Sequence, residues 1–214
     1  MLFPVILYVA IWALFMPVHF WAKARGKKPL SLLFKGIPTL LCAALAGLAF
    51  LGNADLYAKW IFAGLCVCTL ADILLDIRFE VGGTLFFLGH VLYVVALSQY
   101  RTLSWWCLTV AVLALAGLWF FASHYTRGIS QWHIVAGVLI YCLALSGLLG
   151  FSLPLPFLAP SVRSTLAAMG AAAFVISDMT LCHNTVRQKP VRWHYGSLGI
   201  YYTAQWLLAL STKA

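Results

Sequence analysis

An all-α bundle of eight membrane-spanning helices is the fold this sequence predicts, and three observations carry the prediction. The 214-residue chain is 64% hydrophobic with a mean hydropathy of +0.95, more apolar surface than a soluble domain can bury. The apolar residues fall in long unbroken runs, where a membrane β-barrel would alternate in short segments. Charged residues, only 9% of the chain, gather at the ends of those runs. No Ser/Pro/Gly-rich linker interrupts the pattern, so residues 1–214 read as a single eight-helix transmembrane domain.

The first run, 2–21, begins without charge, is long enough to span, and is followed by four basic residues, which distinguishes it from a cleavable signal peptide. The turn Arg25-Gly26-Lys27-Lys28-Pro29 leads to a second span at 30–51, and Gly52-Asn53-Ala54-Asp55 to a third at 57–77. Gly82-Gly83 opens a fourth at 83–99, and a fifth follows at 104–123. Arg127-Gly128 precedes a sixth at 131–150, Pro154, Pro156 and Pro160 separate it from a seventh at 162–183, and Arg187-Gln188-Lys189-Pro190 leads to an eighth at 194–211.

The net charge of +9 is a topology signal, because its lysines and arginines flank spans and do not form a phosphate-tracking patch. No nucleic-acid partner is expected; the bilayer is. Lys23, Arg25, Lys27, Lys28, Lys35, Arg78, Arg127, Arg187, Lys189 and Arg192 fall on one side, and Lys59, Arg101, Arg163 and Lys213 on the other. This asymmetry places both termini outside the cytoplasm. The six cysteines lie in apolar segments, and Cys66-x-Cys68 has neither redox nor zinc spacing, so they read as packing residues. The tryptophans, Trp12 and Trp105-Trp106 among them, suit interface belts.

Of the chain's five acidic residues, Asp72, Asp76, Glu80 and Asp178 lie in or beside spanning segments. A carboxylate at the bilayer centre costs roughly 2.5–3.5 kcal/mol on insertion scales, so these acids mark chemistry. Asp72 and Asp76 are spaced i, i+4 and share a helix face, where both should not ionise together at neutral pH. Such a pair supplies one acid and one base. Asp76 also reads as an interfacial residue facing head groups or Arg78, and Glu80 as a solvated loop residue. Counting ~1.5 Å per residue from the cytoplasmic helix ends puts Asp72, Asp178 and Lys35 about 8 Å deep, His90 about 10 Å, and Tyr93, Tyr201, Tyr202 and Gln205 about 12–18 Å. Polar residues from five helices thus converge on one layer. Lys35 reads as a snorkelling side chain or a buried counter-ion, and His90 as a core histidine or a catalytic partner of the acids. His124, His133, His183 and His194 sit at helix ends and read as interfacial. No H-E-x-x-H or similar spacing points to a metal. Ala71-Asp72-Ile73-Leu74-Leu75 and Ser177-Asp178-Met179-Thr180-Leu181 share small-Asp-x-x-Leu half a chain apart, the mark of a possible 4+4 internal repeat.

These motifs together resemble the lysoplasmalogenase family of YhhN-like membrane proteins. The resemblance rests on Lys35-Gly36-Ile37-Pro38, the small-Asp-x-x-Leu around Asp72, Phe86-x-x-Gly89-His90-x-x-Tyr93, Ser177-Asp178, and Tyr201-Tyr202-x-x-Gln205, in order on successive helices. Ala71 departs from it, standing where many members have glycine. What the resemblance implies is an ether hydrolase that cleaves the vinyl-ether bond of a lysophospholipid, releasing a fatty aldehyde and a glycerophospho-base without a cofactor. Asp72 and Asp178 would then be the working pair and Asp76 would tune their protonation. His90 and Tyr93 would orient substrate or water, Lys35 would hold a carboxylate or phosphate, and Tyr201, Tyr202 and Gln205 would line the substrate site. The membrane would be the inner membrane of a bacterial cell or the endoplasmic reticulum of a eukaryotic one. A proton-coupled transporter and a metal-dependent lipid hydrolase also bury acids in this way, and nothing in the sequence sets an oligomeric state.

Overall fold

The computed structural model describes residues 2–53, 55–100, 104–127 and 131–214, and the regular elements among them are all helical. The helices are α1 (Leu2–Ala24), α2 (Lys28–Asn53), α3 (Leu56–Leu75), α4 (Phe79–Ser98), α5 (Trp105–Thr126), α6 (Trp132–Ser152), α7 (Val162–Val186) and α8 (Val191–Ser211). A short helical turn, Leu155–Leu158, follows α6. Seven helices are long and apolar enough to cross a membrane. The remaining one, α8, has 21 residues, about 30 Å at ~1.5 Å per residue. Its polar residues Tyr201, Tyr202 and Gln205 are turned into the bundle and buried, where other helices and not lipid receive them.

The eight expected helices are present, with shifted ends. The largest shift is in α4, which starts at Phe79 and not after Gly83. Gly82 is there for close approach, not for a turn: a Cβ at that position would lie 2.5 Å from the backbone nitrogen of Leu75, so only glycine lets the first turn of α4 lie against the last turn of α3. Glu80, expected in a loop, consequently occupies the first turn of α4, exposed, where a negative charge complements the helix dipole. Ala54, Arg101, and the Gly128 of the Arg127-Gly128 turn lie outside the described residues, as does the side chain of Arg192.

The most extensive packing joins α3 to α4, α7 to α8, and α2 to α3, with α8 crossing back onto α2 and α3. α5 stands at the edge, packed on α6. α1 carries a π-helical stretch at Ile11–Phe15, the single-residue widening that commonly accompanies a functional segment. Trp12, in that stretch, lays its ring against Gly199 of α8 and stays partly exposed; Trp105 and Trp106, at the start of α5, are exposed. At the end of the bundle that holds the chain termini of α3, α7 and α8, Arg163 Nη1 lies 2.6 Å from Asp55 Oδ2 and its Nε donates to the carbonyl of Ala214 at 3.1 Å. Tyr57 and Ser211 share a hydroxyl hydrogen bond of 2.6 Å beside it.

Small residues allow the central helices to touch. A Cβ on Gly64 of α3 would meet Tyr93 Cδ1 of α4 at 2.7 Å. Tyr93 is fully buried and its hydroxyl donates to Gln205 Oε1 at 2.7 Å, so the ring has nowhere to go. Gly64→Ala should therefore destabilise the protein by about 1–3 kcal/mol, the usual cost of overpacking, seen as a fall of several degrees in its melting temperature in detergent. An unchanged melting temperature would mean that the α3–α4 contact yields freely.

Candidate active site

One cavity of about 290 Å³ collects most of the acids, and its walls come from α1, α2, α3, α4, α7 and α8. Lys35, Asp72, Asp76, Asp178 and Tyr201 all line it.

Its α2–α3 wall is built around Asp72, which is 1% exposed. Thr39 Oγ1 of α2 donates to Asp72 Oδ2 at 2.6 Å and Tyr201 of α8 donates to the same oxygen at 2.9 Å. Pro38 lies inside α2 between Lys35 and Thr39. A proline there removes one helical N–H and disturbs the preceding turn's carbonyls, and the carbonyl of Lys35 receives the Tyr202 hydroxyl at 2.7 Å. Lys35 itself is 6% exposed, so it does not snorkel to the surface; its ammonium lies 3.2 Å from Asp76 Oδ1. Lys23 of α1 approaches the other oxygen of Asp76 at 3.5 Å.

Asp76 caps the C-terminus of α3, where the helix dipole disfavours a negative charge. Partial burial pushes its carboxyl up, but the Lys35 and Lys23 ammonium groups outweigh that and hold it below the ordinary carboxylate range. Two lysines thus favour the ionised form of Asp76, in keeping with one acid and one base in the Asp72–Asp76 pair. Arg78 is not among its ion-pair partners within the described residues.

The opposite wall centres on Asp178 of α7. Tyr141 of α6 donates to Asp178 Oδ2 at 2.6 Å. His90 Nε2 of α4 lies 3.2 Å from the same oxygen, yet neither ring nitrogen of His90 meets hydrogen-bond geometry, so this is an off-axis contact and not a formed bond. The imidazole is fully buried and gripped edge-on by Phe174 at 4.5 Å and Tyr141 at 5.4 Å between ring centroids.

His90, Tyr93, Tyr202 and Gln205 do not line the cavity. His90 touches it only through Asp178. Tyr93 and Gln205 form a deeper bond, with Cys68 Sγ 3.6 Å from the same tyrosine hydroxyl, and Tyr202 supports the α2 backbone. Tyr93, Tyr202 and Gln205 thus brace the helices that carry the acids, one layer behind the cavity lining. The convergence that the residue count suggests holds for Lys35, Asp72, Asp178 and Tyr201, which line one cavity. Tyr201 is ten residues into α8 and Asp72 three from the end of α3, and the two are hydrogen-bonded.

Other residues of the site escaped notice in the sequence. Thr39 directly follows the Lys-x-x-Pro motif, so adjacency was a usable signal. Tyr141 was invisible, being a lone aromatic in an apolar span. His19 of α1 and His194 of α8 line the cavity mouth; the helix-end position of His194 suggested only an interface. Among the described residues no group of three or more His, Cys, Asp and Glu side chains is arranged to hold a metal.

Asp76→Asn should cost stability at neutral pH, on the order of 1 kcal/mol for a partly exposed pair. Because the folded carboxyl titrates below its unfolded value near ~3.9, the stabilisation is present above about pH 4 and fades as pH falls through the folded value. Melting curves of the two proteins should converge on acidification; a gap that widens would contradict the ion pairing.

Comparison with curated proteins and with solved structures finds no match. A family model described as the YhhN family matches residues 30–212. That match covers all the cavity-lining residues except those of α1, and the chain accordingly belongs to the YhhN family, the family of lysoplasmalogenases.

Proposed function

We propose that the protein is a multi-pass membrane hydrolase that cleaves the vinyl-ether bond of lysoplasmalogens to a fatty aldehyde and a glycerophospho-base. The observation that carries this reading is the pair of carboxylates, Asp72 and Asp178, presented from different walls of one cavity, each held by hydroxyl donors and neither neutralised by a lysine. Family membership points the same way.

The reaction suits two carboxyl groups. A protonated carboxyl delivers its proton to the alkenyl carbon remote from the ether oxygen, which converts the vinyl ether to an oxocarbenium ion. The ionised partner stabilises that cation and takes a proton from the water that adds to it, the division of labour used in glycoside hydrolysis. The hemiacetal then collapses to aldehyde and alcohol. One water is consumed and the catalytic proton is restored. Thr39 and Tyr201 orient Asp72, and Tyr141 and His90 orient Asp178. Lys23, Lys189 and His194 at the mouth suit the head-group phosphate, while Lys35 is committed to Asp76 and sets the charge of the α2–α3 wall.

The basic residues placed on the cavity side of the chain support an orientation with that side cytoplasmic and both termini on the other face. A reporter fused at the C-terminus should then read non-cytoplasmic and one near Lys189 cytoplasmic.

Asp72→Asn and Asp178→Asn preserve size and most hydrogen bonding, so each should fold and should lower aldehyde release from lysoplasmalogen at least about 100-fold, the typical scale of a general acid or base. Asp76→Asn should cost less and Glu80→Gln little. Folded Asp72→Asn and Asp178→Asn proteins with near-normal turnover would defeat the carboxylate mechanism.

A further inference from the structure

Six helices surround the cavity, and five of the six joints between neighbours are closed. α4 packs on α3, α3 on α2, α2 on α1, α1 on α8, and α8 on α7. Even the slender α1–α8 joint is sealed beside the cavity by Phe20 and Tyr195, with ring centroids 4.8 Å apart. α4 and α7 make no comparable backbone contact. They meet deep in the bundle, through Phe174 against Phe86 at 6.3 Å and His90 at 4.5 Å, with Tyr141 of α6 reaching across to Asp178. Toward the mouth, Phe79 of α4 and Leu181 and Thr185 of α7 line the cavity, and Phe79 and Thr185 are exposed. The first turns of α6, which packs on both helices deeper down, are also largely exposed there, including Trp132, His133, Ile134 and Gly137.

The cavity's size bears on this seam. About 290 Å³ is at the lower edge of the ~300–1,000 Å³ range for small-molecule sites. It can hold the reacting ether and its neighbours, but not a whole long-chain lipid. The vinyl carbons are the first two of the hydrocarbon chain, so the rest of the chain must leave through a wall while the polar end stays at the mouth.

We infer that the α4–α7 seam is a lateral portal through which the hydrocarbon chain of a single-chain lipid enters from the bilayer and in which it remains during the reaction, with Phe79, Leu181 and Thr185 setting the chain preference. This rests on the lipid-hydrolase reading above and adds to it the path and the residues that select the chain. The polar end crosses no apolar barrier, because the seam runs up to the basic mouth.

The experiment uses the intact protein in its own membrane. A lysophospholipid with a saturated ether-linked chain bearing a diazirine cannot be hydrolysed at a vinyl ether, yet it should occupy the seam. After irradiation, adducts should concentrate on the first turns of α4 and on Leu181–Thr185 of α7, and excess unlabelled lysophospholipid should suppress them. Adducts spread evenly over the outer faces of all helices, or concentrated at the α1–α8 joint, would overturn the portal. In parallel, Thr185→Trp should lower the ratio of kcat/KM for a long-chain lysoplasmalogen to that for a short, water-soluble vinyl ether at least tenfold. An unchanged ratio counts against the portal, and partial misfolding cannot mimic the change because it scales both substrates alike. Labelling needs no turnover, so seam adducts without aldehyde release would keep the portal and discard the vinyl-ether chemistry, and aldehyde release without seam adducts would do the reverse.

Discussion

A carboxylate taken out of water costs several kcal/mol unless other groups replace its hydration, and the placement of Asp72 makes three helices answer that demand together. Thr39 comes from α2 and Tyr201 from α8, so the oxygen of one α3 side chain fixes the separation of all three. Asp178 imposes the same demand on α6 through Tyr141, with His90 of α4 in off-axis contact. Remove either acid and the hydroxyls that donate to it lose their acceptor. In an apolar medium, where helix association has little hydrophobic drive, these few polar contacts and the close glycine packing carry much of the specificity of the fold.

The neighbouring Asp76 obeys the opposite rule. It sits at a helix end, partly exposed, and meets full ammonium charges instead of hydroxyls. One turn of α3 thus carries two acids with different fates. Asp72 is coordinated by neutral donors; Asp76 is favoured as an anion and engages Lys35, which has no ion pair to Asp72 among the described residues. The division follows from which residues α1 and α2 bring near each acid, not from the acids themselves.

That distinction explains what could be read in the sequence. Long apolar runs and turn residues made the eight helices legible, and rare acids inside them made Asp72 and Asp178 conspicuous. Gly82 misled, because a glycine needed for contact with Leu75 looks the same in sequence as a glycine needed for a turn. Tyr141 could not be singled out: a phenol in an apolar span announces a partner only when the partner is known. Tyr93, Tyr202 and Gln205 lie one layer behind the cavity lining, and a sequence does not separate a buried polar residue that lines a site from one that supports it.

The far end of the bundle has a consequence of its own. Arg163 ties Asp55 before α3 to the start of α7 and to the last residue after α8, and the Tyr57–Ser211 bond lies beside it. Rods pinned together at one end pivot there when any pair of them parts. The widest excursion then falls at the cavity side, so a small angular motion can admit a bulky guest there while the far face of the membrane stays shut.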